Sequence, residues 1–204
     1  YTLRTLFPYT TLFRSLVSRL VGAGQYKIAE KFASLGFILG IGFSLIITIV
    51  VFFFGKDFLY LLGARNEILK IGYSYIKINS VALFFFMSMK LLNSILVGYG
   101  NTFIPFICSL IVLFIKIILN YLLVFGIVFN TRGVDGSAIA STVAYLCGFV
   151  FCFYYTVFKS QVKFKPLYIF SARLTDIKRI LVLAIPCSME ERSEERRVGK
   201  ECSQ

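Results

Sequence analysis

Phe32–Gly55 reads FASLGFILGIGFSLIITIVVFFFG, twenty-four residues without a charge. About 20 apolar residues cross the hydrocarbon core of a bilayer as a helix. Backbone polar groups in lipid must be satisfied within the chain, so helices are the reading of runs this long. Gly136–Phe158, GSAIASTVAYLCGFVFCFYYTVF, is a second charge-free run. Ile71–Val97 and Phe103–Val128 are two more, each interrupted by one or two lysines. LVSRL at Leu16–Leu20 reads as the tail of an earlier helix, and RILVLAIPC at Arg179–Cys187 as the start of a later one. The fold class predicted is an all-α polytopic membrane protein. It has four complete transmembrane helices, at about 29–55, 71–97, 103–128 and 136–158, and truncated helices at about 16–21 and 179–191.

The two ends carry a different signal. Back-translation allows codons by which Thr5–Ser15 (TLFPYTTLFRS) and Arg192–Cys202 (RSEERRVGKEC) are encoded on opposite strands of one DNA segment, and the match extends to Leu3 and Gln204. Protein chemistry gives no reason for that symmetry. The segment resembles an adapter of short-read sequencing libraries. Residues 1–15 and 192–204 are therefore predicted to be artefactual adapter-derived segments, set aside from fold reasoning. The domain that remains is 16–191.

The whole chain carries 22 Lys and Arg against 10 Asp and Glu, a net +12. Between the terminal segments the balance is sixteen to seven, still basic. Hydrophobic content of 58% and a mean hydropathy of +0.80 turn that charge away from nucleic acid, since it sits between long apolar runs. Loops 19–31, 98–102 and 159–179 carry nine Lys and Arg, and loops 55–70 and 129–135 carry four. The positive-inside rule then places 19–31 and 159–179 in the cytoplasm. Residues 159–178 read as an ordinary positive inner loop or as a basic amphipathic segment on the membrane surface.

The chain has no His, which excludes common zinc sites and His-based nucleophilic catalysis. Cys108, Cys147, Cys152 and Cys187 fall in or beside apolar runs, where a thiol behaves as a small hydrophobe. The chain is read as no enzyme, with no cofactor and no metal.

Small residues recur every four positions at Gly136, Ala140, Ala144 and Gly148, and again at Gly36, Gly40, Ser44 and Thr48. Such stripes let transmembrane helices approach closely. Lys116 lies near the middle of its span, with Asn120 one turn later on the same face and Ser109 two turns earlier. Lys90 and Asn93 share a face of the preceding span with Asn79. A lysine at the centre of a membrane helix costs about 2.5–3.5 kcal/mol on insertion scales, so it faces a bundle interior or water. Lys90 reads equally as a side chain that snorkels to the interface.

LVGYGN at Leu96–Asn101 has the outline of a potassium-channel filter, but Leu96 stands where that filter has Thr, and the motif closes a full-length span. Another resemblance covers residues 16–191. VSRLVGAGQYKIAEKF, LYLLGARNEILKIGYSYIKI, LVGYGNTFIPF, NYLLVFG, GVDGSAIAST and ILVLAIP follow one another in the order and spacing of the multidrug and toxic compound extrusion (MATE) family. The chain resembles the stretch from the end of the second helix to the start of the seventh.

The resemblance implies twelve helices in two six-helix bundles that expose a cavity alternately to each side of the membrane. It implies a cation-coupled efflux antiporter, driven by protons or sodium, for small organic, cationic substrates. The lipid bilayer is the surrounding partner, with no nucleic acid, and a second six-helix bundle is missing in cis. A bacterial plasma (inner) membrane is the implied location. Alignment on IKIILNYLLVFG places Asn120 at the family's Asn/Asp position and Lys116 where Asn is usual; Ser141 falls on the hydroxyl of a GAAIAT-type motif. Lys116, Asn120, Ser141, Lys90 and Asn93 are the candidate substrate and ion pathway. The Lys at 116 departs from ordinary cation coupling and reads as a tethered cation that pairs with an acid on the absent first helix. Val97 stands where the family turn often has Arg. Two alternatives remain beside efflux: a lipid-linked saccharide flippase of the same superfamily, whose anionic headgroup suits intramembrane lysines, and a non-functional gene remnant.

Overall fold

In a computed structural model of the chain, residues 8–124 and 133–159 are described, with side chains from residue 14 onward. They form five helices: α1 (Pro8–Gly22), α2 (Tyr26–Leu61), α3 (Asn66–Gly98), α4 (Phe103–Val124) and α5 (Val134–Phe158). The last four are each long and apolar enough to cross a membrane. The all-α polytopic fold expected from the apolar runs is the one observed.

Helix ends lie outside the apolar limits. α2 begins three residues before the expected start at 29 and ends six beyond 55; α3 begins five before 71. Hydropathy stops at the charges, whereas the i→i−4 hydrogen-bond ladder continues past the lipid into water. At 1.5 Å per residue, the 36 residues of α2 reach about 54 Å against a hydrocarbon thickness of about 30 Å. Its ends, with Lys27, Lys31, Lys56 and Asp57, therefore project beyond the apolar layer. α1 runs through the 15/16 boundary, starting at Pro8 rather than at the expected residue 16. Proline suits a first helical turn, where its missing N–H costs nothing. The reverse-complement symmetry is a property of codons, on which helix geometry does not bear. The expected end of the third complete helix at 128 and the truncated helix at 179–191 lie outside the described residues.

The helices pack with α3 at the centre, against α1 and α2 on one side and α5 on the other, while α4 packs on α5. The core is built from Val17 of α1, Ala33, Leu35 and Phe37 of α2, Leu91, Leu92, Ile95 and Leu96 of α3, Cys108 and Val112 of α4, and Ala144 and Cys152 of α5. Both small-residue stripes are interfaces. Gly36, Gly40 and Ser44 are buried, and Leu91 of α3 lies directly over Gly40. Gly136, Ala140, Ala144 and Gly148 are all buried; at Gly136 a Cβ would come 2.7 Å from the Leu123 carbonyl oxygen of α4. The opposite face of α2, with Phe43, Ile46, Val50, Phe53 and Phe54, stays exposed, as a lipid-facing surface requires.

The filter-like LVGYGN is a helix terminus. Gly100 has φ 85°, and its N–H donates to the Val97 carbonyl at 2.9 Å, while Asn101 N–H donates to Leu96 at 3.0 Å. This is the glycine-terminated Schellman arrangement. Asn101 lies just before α4, and its Oδ1 accepts from the Ile104 N–H of the first turn at 3.3 Å.

Candidate functional site

α4 and α5 run antiparallel, and their register is set by close contacts. Cys108 lies beside Cys152, Val112 over Gly148, Lys116 against Tyr145, and Leu123 against Gly136. That register brings Asn120 to the level of Ser141, so the three polar residues expected on these helices share one interface. Lys116 is half-buried, and its Nζ sits 5.4 Å from the Tyr145 ring centroid. Asn120 Oδ1 is buried without a hydrogen-bond partner, and Ser141 is buried. Among the described residues no carboxylate pairs with Lys116.

Lys90 reaches the same place from α3. Its Nζ lies 5.5 Å from the Phe86 ring centroid, and the Phe86 and Tyr145 rings are 5.0 Å apart. Two intramembrane lysines thus flank one aromatic pair, each ammonium over a ring face, where the quadrupole attracts a cation. Lys90 itself is exposed. Asn93 is not part of this face: it is buried one turn on, where its Oδ1 accepts a hydrogen bond from Cys152 Sγ at 3.1 Å.

Phe86 and Tyr145 were not singled out in the sequence. A signal existed for Tyr145, one turn after Ser141 on the same face of its helix. Nothing in a single sequence announces Phe86, because its role depends on how α3 crosses α5.

A separate cavity of about 450 Å³ opens at the other end of α4, around the α3–α4 turn, with Tyr99, Asn101, Tyr155 and Lys159 in its wall. Asn101 Nδ2 donates to the Tyr155 hydroxyl at 3.4 Å. The Tyr99 hydroxyl is buried without a partner; burial, and secondly the Glu30 carboxylate, push its phenol up to about 12.

Residues 10–122 match the MatE family model. Over 131 residues the chain is 30% identical to the multidrug export protein MepA of Staphylococcus aureus, covering 64% of this chain and 29% of that protein. Among solved structures it is similar to the Vibrio cholerae MATE transporter VcmN in the bent form (17% identity, TM-score 0.74, covering 96% of this chain and 44% of that one). It is also similar to a MOP superfamily transporter of Pyrococcus furiosus, described as having a binding pocket of reverse polarity (22% identity, TM-score 0.77, 91% and 41%). These structural likenesses show the fold. The chain spans less than a third of the length of the curated relatives it matches.

Proposed function

Because the chain belongs to the MatE family, we propose that it forms part of the first helical bundle of a multidrug efflux transporter. That transporter exchanges small organic cations for protons or sodium by alternating access, in a bacterial plasma membrane. The observation that carries the reading is the family match over 10–122, which takes in both Lys116 and Asn120. Sites of secondary transporters lie near the midplane between helices, and the α4–α5 interface supplies a half-buried cation, an unpaired amide oxygen and a buried hydroxyl there. Lys116 acts as a tethered cation at this site and pairs with an acid on a helix beyond these residues.

The convergence of Lys90 and Lys116 on the Phe86–Tyr145 pair favours a second reading, transport of an anionic lipid-linked saccharide. Two ammonium groups disfavour an organic cation and suit a phosphate. The readings part in a binding experiment on the whole chain in lipid nanodiscs, titrated with ethidium and with a polyprenyl phosphate. For efflux, ethidium binds, and Lys116→Asn strengthens it about tenfold by removing like-charge repulsion, a change of about 1.4 kcal/mol. Binding of the polyprenyl phosphate alone, weakened by the same substitution, sinks the efflux reading in favour of the flippase.

A further inference from the structure

Three sulfur-bearing side chains from three helices meet around Gly148. Met89 of α3 is almost fully buried, and Cys108 of α4 and Cys152 of α5 are completely so. A Cβ on Gly148 would lie 2.8 Å from Met89 Sδ and 3.7 Å from Cys108 Sγ, so both sulfurs border the small volume that the glycine leaves free. The Cys108 and Cys152 thiols adjoin each other. Cys108 Sγ donates to the Gly148 carbonyl at 3.3 Å, and Cys152 Sγ to Asn93 Oδ1 at 3.1 Å. Asn93 stands one turn after Met89 on α3, and its Oδ1 orients the Cys152 thiol in the metal-free protein, a hydrogen bond given up with the thiol proton when a metal binds.

We propose that Cys108, Cys152 and Met89 form a binding site for one soft monovalent cation, Cu(I) or Ag(I), held chiefly by the two thiolates with the thioether as third ligand. The donor set selects the metal. Thiolate and thioether sulfur favour soft ions, whereas zinc sites in proteins take four ligands, usually with His or further Cys. Among the described residues no group of three or more His, Cys, Asp or Glu is assembled, which leaves zinc without a ligand set. The mixed-sulfur cluster meets the lower demand of a d¹⁰ monovalent ion.

Charge and protons balance. Each ligating thiol gives up its proton to water, so binding one monovalent ion releases two protons and leaves a unit of net charge −1. The Lys90 ammonium, on the residue after Met89, is within electrostatic reach of Cys108 and offsets that charge. The cavity at the α3–α4 turn lies about one helical turn away, since Leu96 and Tyr155 in its wall are each three residues from Asn93 and Cys152. The inference stands independently of what the transporter carries.

The test uses the whole chain in detergent with Cys147→Ala, Cys187→Ala and Cys202→Ala, which leaves the buried pair intact and every other thiol of the sequence removed. Silver nitrate is titrated in chloride-free buffer, followed by thiolate-to-metal absorbance and by X-ray absorption at the silver edge. One equivalent is expected, with a first shell of sulfur, and it is lost when Cys108→Ala and Cys152→Ala are added. No uptake by the triple variant overturns the proposal, as does a shell of nitrogen and oxygen, or retention of the equivalent after the pair is removed. Because the triple variant keeps the core untouched, its result does not depend on whether the quintuple variant folds.

Discussion

Tyr145 connects two charges that a linear reading keeps apart. Its ring receives the Lys116 ammonium from α4 and packs on Phe86, which carries Lys90. Cation–π contact is worth about 0.5–2 kcal/mol, more as water is excluded. Tyr145→Leu is therefore expected to lower thermal stability in detergent by about 1–2 kcal/mol, with Tyr145→Phe close to the parent. Equal losses in both would assign the effect to the hydroxyl instead. Tyr99 makes a second expectation. Its phenol is raised from about 10 in the unfolded chain to about 12 in the fold, so between those values the unfolded state sheds the proton that the folded state keeps. The contribution is complete below pH 10 and is lost as pH rises toward 12. Tyr99→Phe should flatten the fall in stability above pH 10, and an unchanged slope would show that another group governs it. At this scale the sequence was half legible. Lys116 and Asn120 stood out because polar groups in an apolar span are costly. Their aromatic counterparts did not, since a Phe or Tyr in such a span is what lipid and core alike would select. Asn93 was expected on the pathway with Lys90, yet it turns to Cys152, a choice made by helix packing rather than by position in the chain.

The helices themselves were read almost entirely from charge-free length, and the small-residue stripes gave their contact faces before any contact was known. What hydropathy could not give is where each helix stops. Three turns close with glycine at positive φ (Gly24, Gly63 and Gly100), and the hydrogen-bonding signal at those residues is more exact than the fading of apolar character. Gly136 carries the test of this scale. A methyl there meets the backbone carbonyl of Leu123, which cannot swing aside as a side chain would. Gly136→Ala should destabilise the α4–α5 pair by about 1–3 kcal/mol, in the range of overpacked cores. Gly42, with open space where its side chain would be, is the internal control. Gly42→Ala should be neutral or stabilising by up to about 1 kcal/mol, because it restricts the unfolded backbone. Thermal unfolding of the two variants side by side decides it: similar midpoints would mean that α4 shifts to accept the methyl and that the close approach is not required.

Across the whole molecule, alternation of the spans places the α2–α3 turn at one end and the α1–α2 and α3–α4 turns, with Lys159, at the other. The charges of the described residues near these ends differ little: Arg19, Lys27, Lys31 and Lys159 face Lys56, Arg65 and Lys70. The decisive excess comes from Lys163, Lys165, Arg173, Lys178 and Arg179, which lie outside the described residues. Orientation is thus an expectation that rests on the bias of Lys and Arg in the sequence, on which the helix packing does not bear. On a cysteine-free background in intact bacterial cells, Ala64→Cys should react with a membrane-impermeant maleimide, and Thr102→Cys should react only after permeabilisation. Replacing the five basic residues of 163–179 with glutamine should then let a second population appear, labelled at Thr102→Cys from outside. Labelling that stays confined to Ala64→Cys after that replacement would show that the four charges around α1, α2 and Lys159 hold the orientation alone, and would move the topological signal from the segment after α5 to the turn between α1 and α2.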